Sequence, residues 1–328
     1  MKTLIHGIYS SAISRTCRLP QREMVWIPGG EFLMGSDHHY PDERPAHAVH
    51  VDGFWIDCRT VTNRDFARFV EATGYKTLAE RWKVSDASNE DEQLDPPSSL
   101  VFQKPTRRFH TRDPARWWIL MRDADWRHPR GPESSIIGIE NHPVVHIAYE
   151  DAEAYAAWEG KELPTEAEWE FAARGDLECA EFAWGSEFMP EGRFMANTWQ
   201  GEFPWENRAD DGYEWTSPVG FFPSNGYGLY DMAGNVWQWT CDWYQPHHRA
   251  AAKDWRVIHN PRSDGWEAGA APRLSQLDAP RKVIKGGSFL SAPRYCGRYR
   301  PAARIAQPID ASACHLGFRC VVRGRGHH

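Results

Sequence analysis

A chain of 328 residues with 38 Lys and Arg against 45 Asp and Glu carries a formal net charge of −7 and a pI near 6.1. That acidic balance, without any Lys/Arg block, argues against a nucleic-acid-binding surface, and no apolar stretch approaches bilayer-spanning length. The 17 Trp, 23 Pro and 26 Gly point to an aromatic-rich chain with a substantial core, many loops and few long helices.

Residues 1–23 carry several basic groups but no continuous apolar run, so they read as an N-terminal extension rather than a secretory leader, and a cytoplasmic, monomeric protein is expected. Structure is expected to begin at "MVWIPGGEFLMGS" (24–36), whose apolar residues flank Gly29-Gly30 and predict a β-hairpin. "TVTNRDFARFVEATG" (60–74) predicts an amphipathic helix with Thr62 as N-cap and Gly74 as stop. Residues 76–135 lack a sustained period and read as an irregular excursion. "HPVVHIAY" (142–149) looks like a strand entering the helix "EDAEAYAAWEG". The next helix, in "LPTEAEWEFAARG", opens on a capping box of Thr165 and Glu168. Residues 281–323 return to strand-like segments. No repeat or linker appears, so one domain over 24–323 is expected, followed by a short tail, 324–328.

Seven cysteines, at 17, 58, 179, 241, 296, 314 and 320, show no C-x-x-C spacing and do not indicate a disulfide scaffold. His142 and His146 would lie about 13 Å apart along a strand, which disfavours a shared metal; His47 and His50 would face opposite ways. The loop "ANTWQGEFPWENRADDGY" (196–213) gathers oxygens that suit calcium, although the EF-hand order is not met and an Asx-rich turn is the plainer reading. "GLYDMAGNVWQW" (228–239) is open to the same two readings. Cys296 stands among Arg294, Arg298, Arg300 and Arg304, and positive charge would lower its thiol pKa toward a nucleophile or metal ligand; an inert buried thiol is the alternative.

Taken in order, "MVWIPGGEFLMGS", "VTNRDFARFVEATGY", "NHPVVHIAYEDAEAYAAWEGKELPTEAEWEFAARG", "ANTWQGEFP", "SPVGFFPSNGYGLYDMAGNVWQWTCDWY", "KGGSF" and "YCGRYRPAAR…LGFRC" resemble the formylglycine-generating enzymes, or sulfatase-modifying factors. The resemblance implies a single compact α+β domain with little regular secondary structure, distantly similar to C-type-lectin-like folds. It implies oxidation of a cysteine in a Cys-x-Pro-x-Arg segment of a sulfatase to formylglycine, with O2 as co-substrate and one copper(I) held by two thiolates, a donor set that suits a soft ion. By similarity Cys296 is the second copper cysteine, and Ser291 stands at the position of the first. Ser288 and Trp237 would line the oxygen and substrate pocket, and Tyr295, Arg304 and His315 would meet the peptide.

The resemblance also implies one calcium site at Asn197, Thr198, Asp211 and Tyr213, and a second at Asp231, Gly234, Val236 and Gln238, where Gln238 replaces the family's acid. A serine is a poor copper(I) ligand, which leaves three readings open. The chain is an oxidase in which serine has been substituted for the first cysteine, a natural homologue that binds sulfatase-like or other Cys-containing peptides without oxidising them, or an oxidase in which Cys314 or His315 supplies the missing ligand. The related branch with three-histidine non-haem iron is disfavoured, because "HPVVHIA" lacks the glutamate of its motif.

Overall fold

Pro28 has no N–H to give to a ladder, and Gly29 turns the chain at φ +75°, where an added Cβ would lie 2.5 Å from the Val51 carbonyl oxygen. The two apolar runs around them therefore part company instead of forming the expected hairpin. In the computed structural model, which describes residues 24–81, 83–84, 94–108, 114–248, 256–263, 265 and 280–324, Met24–Ile27 pairs antiparallel with Phe54–Asp57, and Gly30–Met34 pairs with His47–Val51. Val321–Arg323 completes the first of these sheets and Ile258–His259 the second. The expected extension 1–23 lies outside the described residues.

Three helices anchor the remainder. Helix α1, Asn63–Thr73, starts on a reciprocal Thr62–Asp65 capping box and stops at Gly74, φ 68°. Helix α2 is Tyr149–Trp158, and α3, Glu166–Arg174, carries the Thr165–Glu168 box read from the sequence. The segment ahead of α2 is not a strand. His146 sits at φ 59°, and the backbone N–H groups of Val144 and His146 donate to Val61 and Ala313 across different elements, so no ladder forms. Within the 76–135 excursion, Ser98–Phe102 and Trp118–Arg122 form a two-stranded antiparallel sheet.

A four-stranded sheet runs in the order Arg304–Pro308, Arg281–Lys285, Trp237–Trp243, Leu316–Gly317. Against it packs the main core, which includes Phe66, Phe69, Trp126, Tyr155, Trp239 and Phe318. A separate cluster of Phe102, Trp117, Trp199, Phe289, Leu290, Ala292 and Cys314 buries the residues that lead into the loop bearing Cys296. Helix α3 faces the sheet through charge: the Lys285 ammonium, fully buried, lies 3.0 Å from Glu170 and 3.4 Å from Glu166, which also bind Arg174 at 2.7 Å and Arg304 at 2.8 Å respectively.

Candidate functional site

The loop after Lys285 is built from small residues that close a tight turn. The Ser291 amide donates to the Ser288 carbonyl, the Ser288 amide donates back to the Ser291 hydroxyl oxygen at 3.1 Å, and the Ser288 hydroxyl oxygen accepts the Leu290 amide at 3.2 Å. The Ser291 carbonyl accepts the Trp199 amide, which fastens this turn to the 196–213 loop. Cys296 follows as the Ala292 carbonyl accepts its amide. Its segment is a turn and coil, not the strand that would have lined up Arg294, Arg298 and Arg300.

The Ser291 side chain and the Arg298 backbone N–H both favour the thiolate form of Cys296. Burial nevertheless pushes its thiol up, above the ordinary range, against these two groups and the charges of Arg298 and Arg300. The arginines have other partners: Arg298 meets Asp42 at 2.8 Å, and Arg300 makes a bidentate pair with buried Glu43 at 2.6 and 2.8 Å. The expectation that local arginines lower this pKa is corrected on that account. The sequence could not show that Asp42 and Glu43, more than 250 residues away, would compensate them.

The residues just before Cys296 form one wall of a cleft of about 700 Å3, shared with Trp117, Trp199 and Phe203. Tyr295, 44% exposed, stacks on Phe203 with ring centroids 4.1 Å apart and meets Trp117 edge-on at 6.0 Å. These aromatic partners were not singled out in the sequence, where they lie in loops without a periodic signature.

The other candidates disperse. Trp237 is buried in the main core, and its amide donates to the His315 carbonyl. The Arg304 guanidinium is committed to Glu166 and to the Asp42 and Gln245 carbonyls, and it lines a different cavity, of about 420 Å3, with His47 and His248. The His315 ring packs on Trp118 at 4.7 Å, with Nδ1 buried and unpartnered, and burial drives its pKa down to about 3. Cys314 accepts the Phe102 amide at 3.3 Å, and burial pushes its thiol up to about 12. His142 bonds Thr216, while His146 bonds Ser99 and the Pro129 carbonyl.

Two metals are implied by the resemblance, and the donors can be tested for each. Copper(I) between two thiolates does not fit, because Ser291 offers a hard hydroxyl oxygen, already taken by the Ser288 amide, in place of a thiolate. Among the described residues no group of three His, Cys, Asp or Glu side chains is placed to hold a metal ion. The first calcium set fits. Asn197 Oδ1 is buried with no partner, as is the neighbouring Gln200 Oε1. Beside them Asp211 accepts the Thr198 and Tyr213 amides at 3.2 and 3.0 Å and Gln200 Nε2 at 2.8 Å. Burial pushes the Asp211 carboxyl up, and only hydrogen bonds offset it. Hard oxygens left short of partners around an uncompensated carboxylate are what calcium takes up.

A family model, the sulfatase-modifying factor enzyme 1-like domain, matches residues 9–324. The chain belongs to the sulfatase-modifying factor family. It is 46% identical to the formylglycine-generating enzyme of Mycobacterium tuberculosis, over 91% of this chain and 97% of that protein. It is 43% identical to that of Mus musculus, over 91% and 74%. It is also 39% identical to the inactive C-alpha-formylglycine-generating enzyme 2 of Bos taurus, over 90% and 87%. The solved structure of PvdO from Pseudomonas aeruginosa superposes with a TM-score of 0.56 at 26% identity, covering 91% of this chain and 93% of that one. The architecture is accordingly the α+β, C-type-lectin-like fold of this family, poor in regular secondary structure. No helix of the described residues is long and apolar enough to cross a membrane.

Proposed function

We propose that this chain is a formylglycine-generating-enzyme homologue that receives a Cys-x-Pro-x-Arg segment of a sulfatase-like client in the aromatic cleft beside Cys296, and that its oxidation of the client cysteine is impaired. The observation that carries the reading is a buried serine hydroxyl at position 291, accepting the Ser288 amide at 3.1 Å, where the family places a second thiolate. In the family, copper(I) and O2 supply the oxidising chemistry; of the two thiolates that hold the metal, this chain keeps one.

Its own residues account for binding and for the state of that thiol. The Tyr295–Phe203 stack offers a flat apolar shelf for an extended segment. Burial keeps the Cys296 proton in place at neutral pH, while the Ser291 hydroxyl and the Arg298 amide would steady a thiolate once formed. The Asn197, Thr198, Asp211 and Tyr213 loop, proposed to hold calcium, is tied to the site through the Trp199 amide and the Ser291 carbonyl.

The competing reading is a peptide-binding homologue without oxidase activity, and a relative named inactive, at 39% identity, is its precedent. Copper(I) titration of the full chain and of its Ser291→Cys variant separates the two. About one tightly bound copper per variant chain, against weak binding by the parent, supports the oxidase scaffold. No tight copper in either chain supports the binder.

A further inference from the structure

The second calcium position differs from the first in that the oxygens of its two polar side chains are already spoken for. Gln238 Oε1 accepts the Trp169 indole N–H at 2.9 Å and Arg319 Nε at 2.7 Å, which uses both lone pairs of an amide oxygen. Gln238 Nε2 donates to the Asp231 carbonyl at 2.7 Å, and that carbonyl also accepts from Arg319 at 3.2 Å. The Asp231 carboxylate takes the Gly220 amide at 2.8 Å and Asn235 Nδ2 at 3.4 Å. Among the buried side-chain atoms of this position, none is left without a partner, in contrast to Asn197 Oδ1 at the first.

Charge points the same way. Arg319, fully buried, donates to the Asp57 and Tyr230 carbonyls as well; burial raises the Asp231 carboxyl overall, and the Gly220 amide and then the Arg319 charge offset part of that push. Burial lowers the Arg319 pKa to about 10, which leaves it a cation at neutral pH. A neutral amide at 238 and a guanidinium fixed on the Gln238 amide oxygen and the Asp231 carbonyl leave one buried carboxylate with a cation already beside it.

We propose that the second position takes no calcium in this chain, because Arg319, held by Gln238, is its built-in cation. Glutamate at 238 would remove the donor that occupies the Asp231 carbonyl and set a second carboxylate beside Asp231, which restores the demand for an ion. The inference rests on the calcium reading of the first site only for comparison.

The test is calcium content per full-length chain by equilibrium dialysis and elemental analysis, on the parent, Gln238→Glu and Asp231→Ala. The expected result is one more ion in Gln238→Glu than in the parent, with no ion lost in Asp231→Ala. Two ions in the parent, an ion lost in Asp231→Ala, or equal counts in the parent and Gln238→Glu overturns the proposal. A parent without calcium would refute the first-site reading alone, provided Gln238→Glu gains its ion.

Discussion

Glu170→Gln tests the buried charge cluster that seats helix α3 on the central sheet. Lys285, Arg174 and Arg304 supply three positive charges against the carboxylates of Glu166 and Glu170. Neutralising Glu170 leaves three cations around one anion and removes the charge that also receives the Gly35 amide at 2.9 Å. Breaking a buried pair from one side costs about 3–5 kcal/mol. Burial by itself would raise the Glu170 pKa, but Lys285 and Arg174 hold it at about 2, against an ordinary 4.5. That difference is worth roughly 3 kcal/mol at about 1.4 kcal/mol per pH unit.

The shift is downward, so this stabilisation is fully present above pH 4.5 and disappears as pH falls from 4.5 toward 2. Lys285→Met, by contrast, leaves two cations facing two anions and should cost less than Glu170→Gln. Urea unfolding of the three proteins at pH 7, with repeats down to pH 3, measures both effects. The parent should be the more stable by several kcal/mol at pH 7, with the gap to Glu170→Gln narrowing in acid. A gap that stays constant with pH, or a larger loss in Lys285→Met, would refute the reasoning.

Three further outcomes follow from particular contacts. Gly234→Ala should destabilise the fold by at least about 2 kcal/mol, because Gly234 sits at φ 71° and an added Cβ would meet the Asn197 carbonyl oxygen at 2.2 Å; thermal or urea unfolding reads it. Tyr295→Ala should weaken binding of a Cys-x-Pro-x-Arg peptide roughly tenfold by removing the shelf on Phe203, while unfolding stability changes little; unchanged affinity would place the client elsewhere. Alkylation of Cys296 by iodoacetamide should be slower at pH 7 than that of a free thiol and should climb at a pH above the ordinary thiol range. Ser291→Ala should slow it further at a given pH by deleting a hydroxyl that favours the thiolate.

How much of this was legible in the sequence depended on whether the signal was local. The boxes at Thr62 and Thr165 and the stop at Gly74 are short-range chemistry, and α1 and α3 stand where those residues put them. The Gly29-Gly30 hairpin failed because strand pairing there is decided by Val51, Phe54 and Asp57 across the fold. "HPVVHIAY" read as a strand from composition, yet its backbone partners, Val61 and Ala313, lie in different segments. At the site, the ordered motifs single out Ser291 and Cys296, and both lie on one stretch of turn and coil. The acids that pair with Arg298 and Arg300, and the Trp117 and Phe203 rings of the cleft, come from remote loops that no spacing rule reaches.

The account turns on one atom at position 291. The parent chain and Ser291→Cys, each incubated with copper(I), oxygen and a Cys-x-Pro-x-Arg peptide, should differ in mass spectra of the peptide: the variant converts the thiol to an aldehyde, and the parent does so far more slowly or not at all. Equal aldehyde formation by the two proteins would show that Ser291 does not limit the chemistry, and its absence from both would contradict an oxidase scaffold.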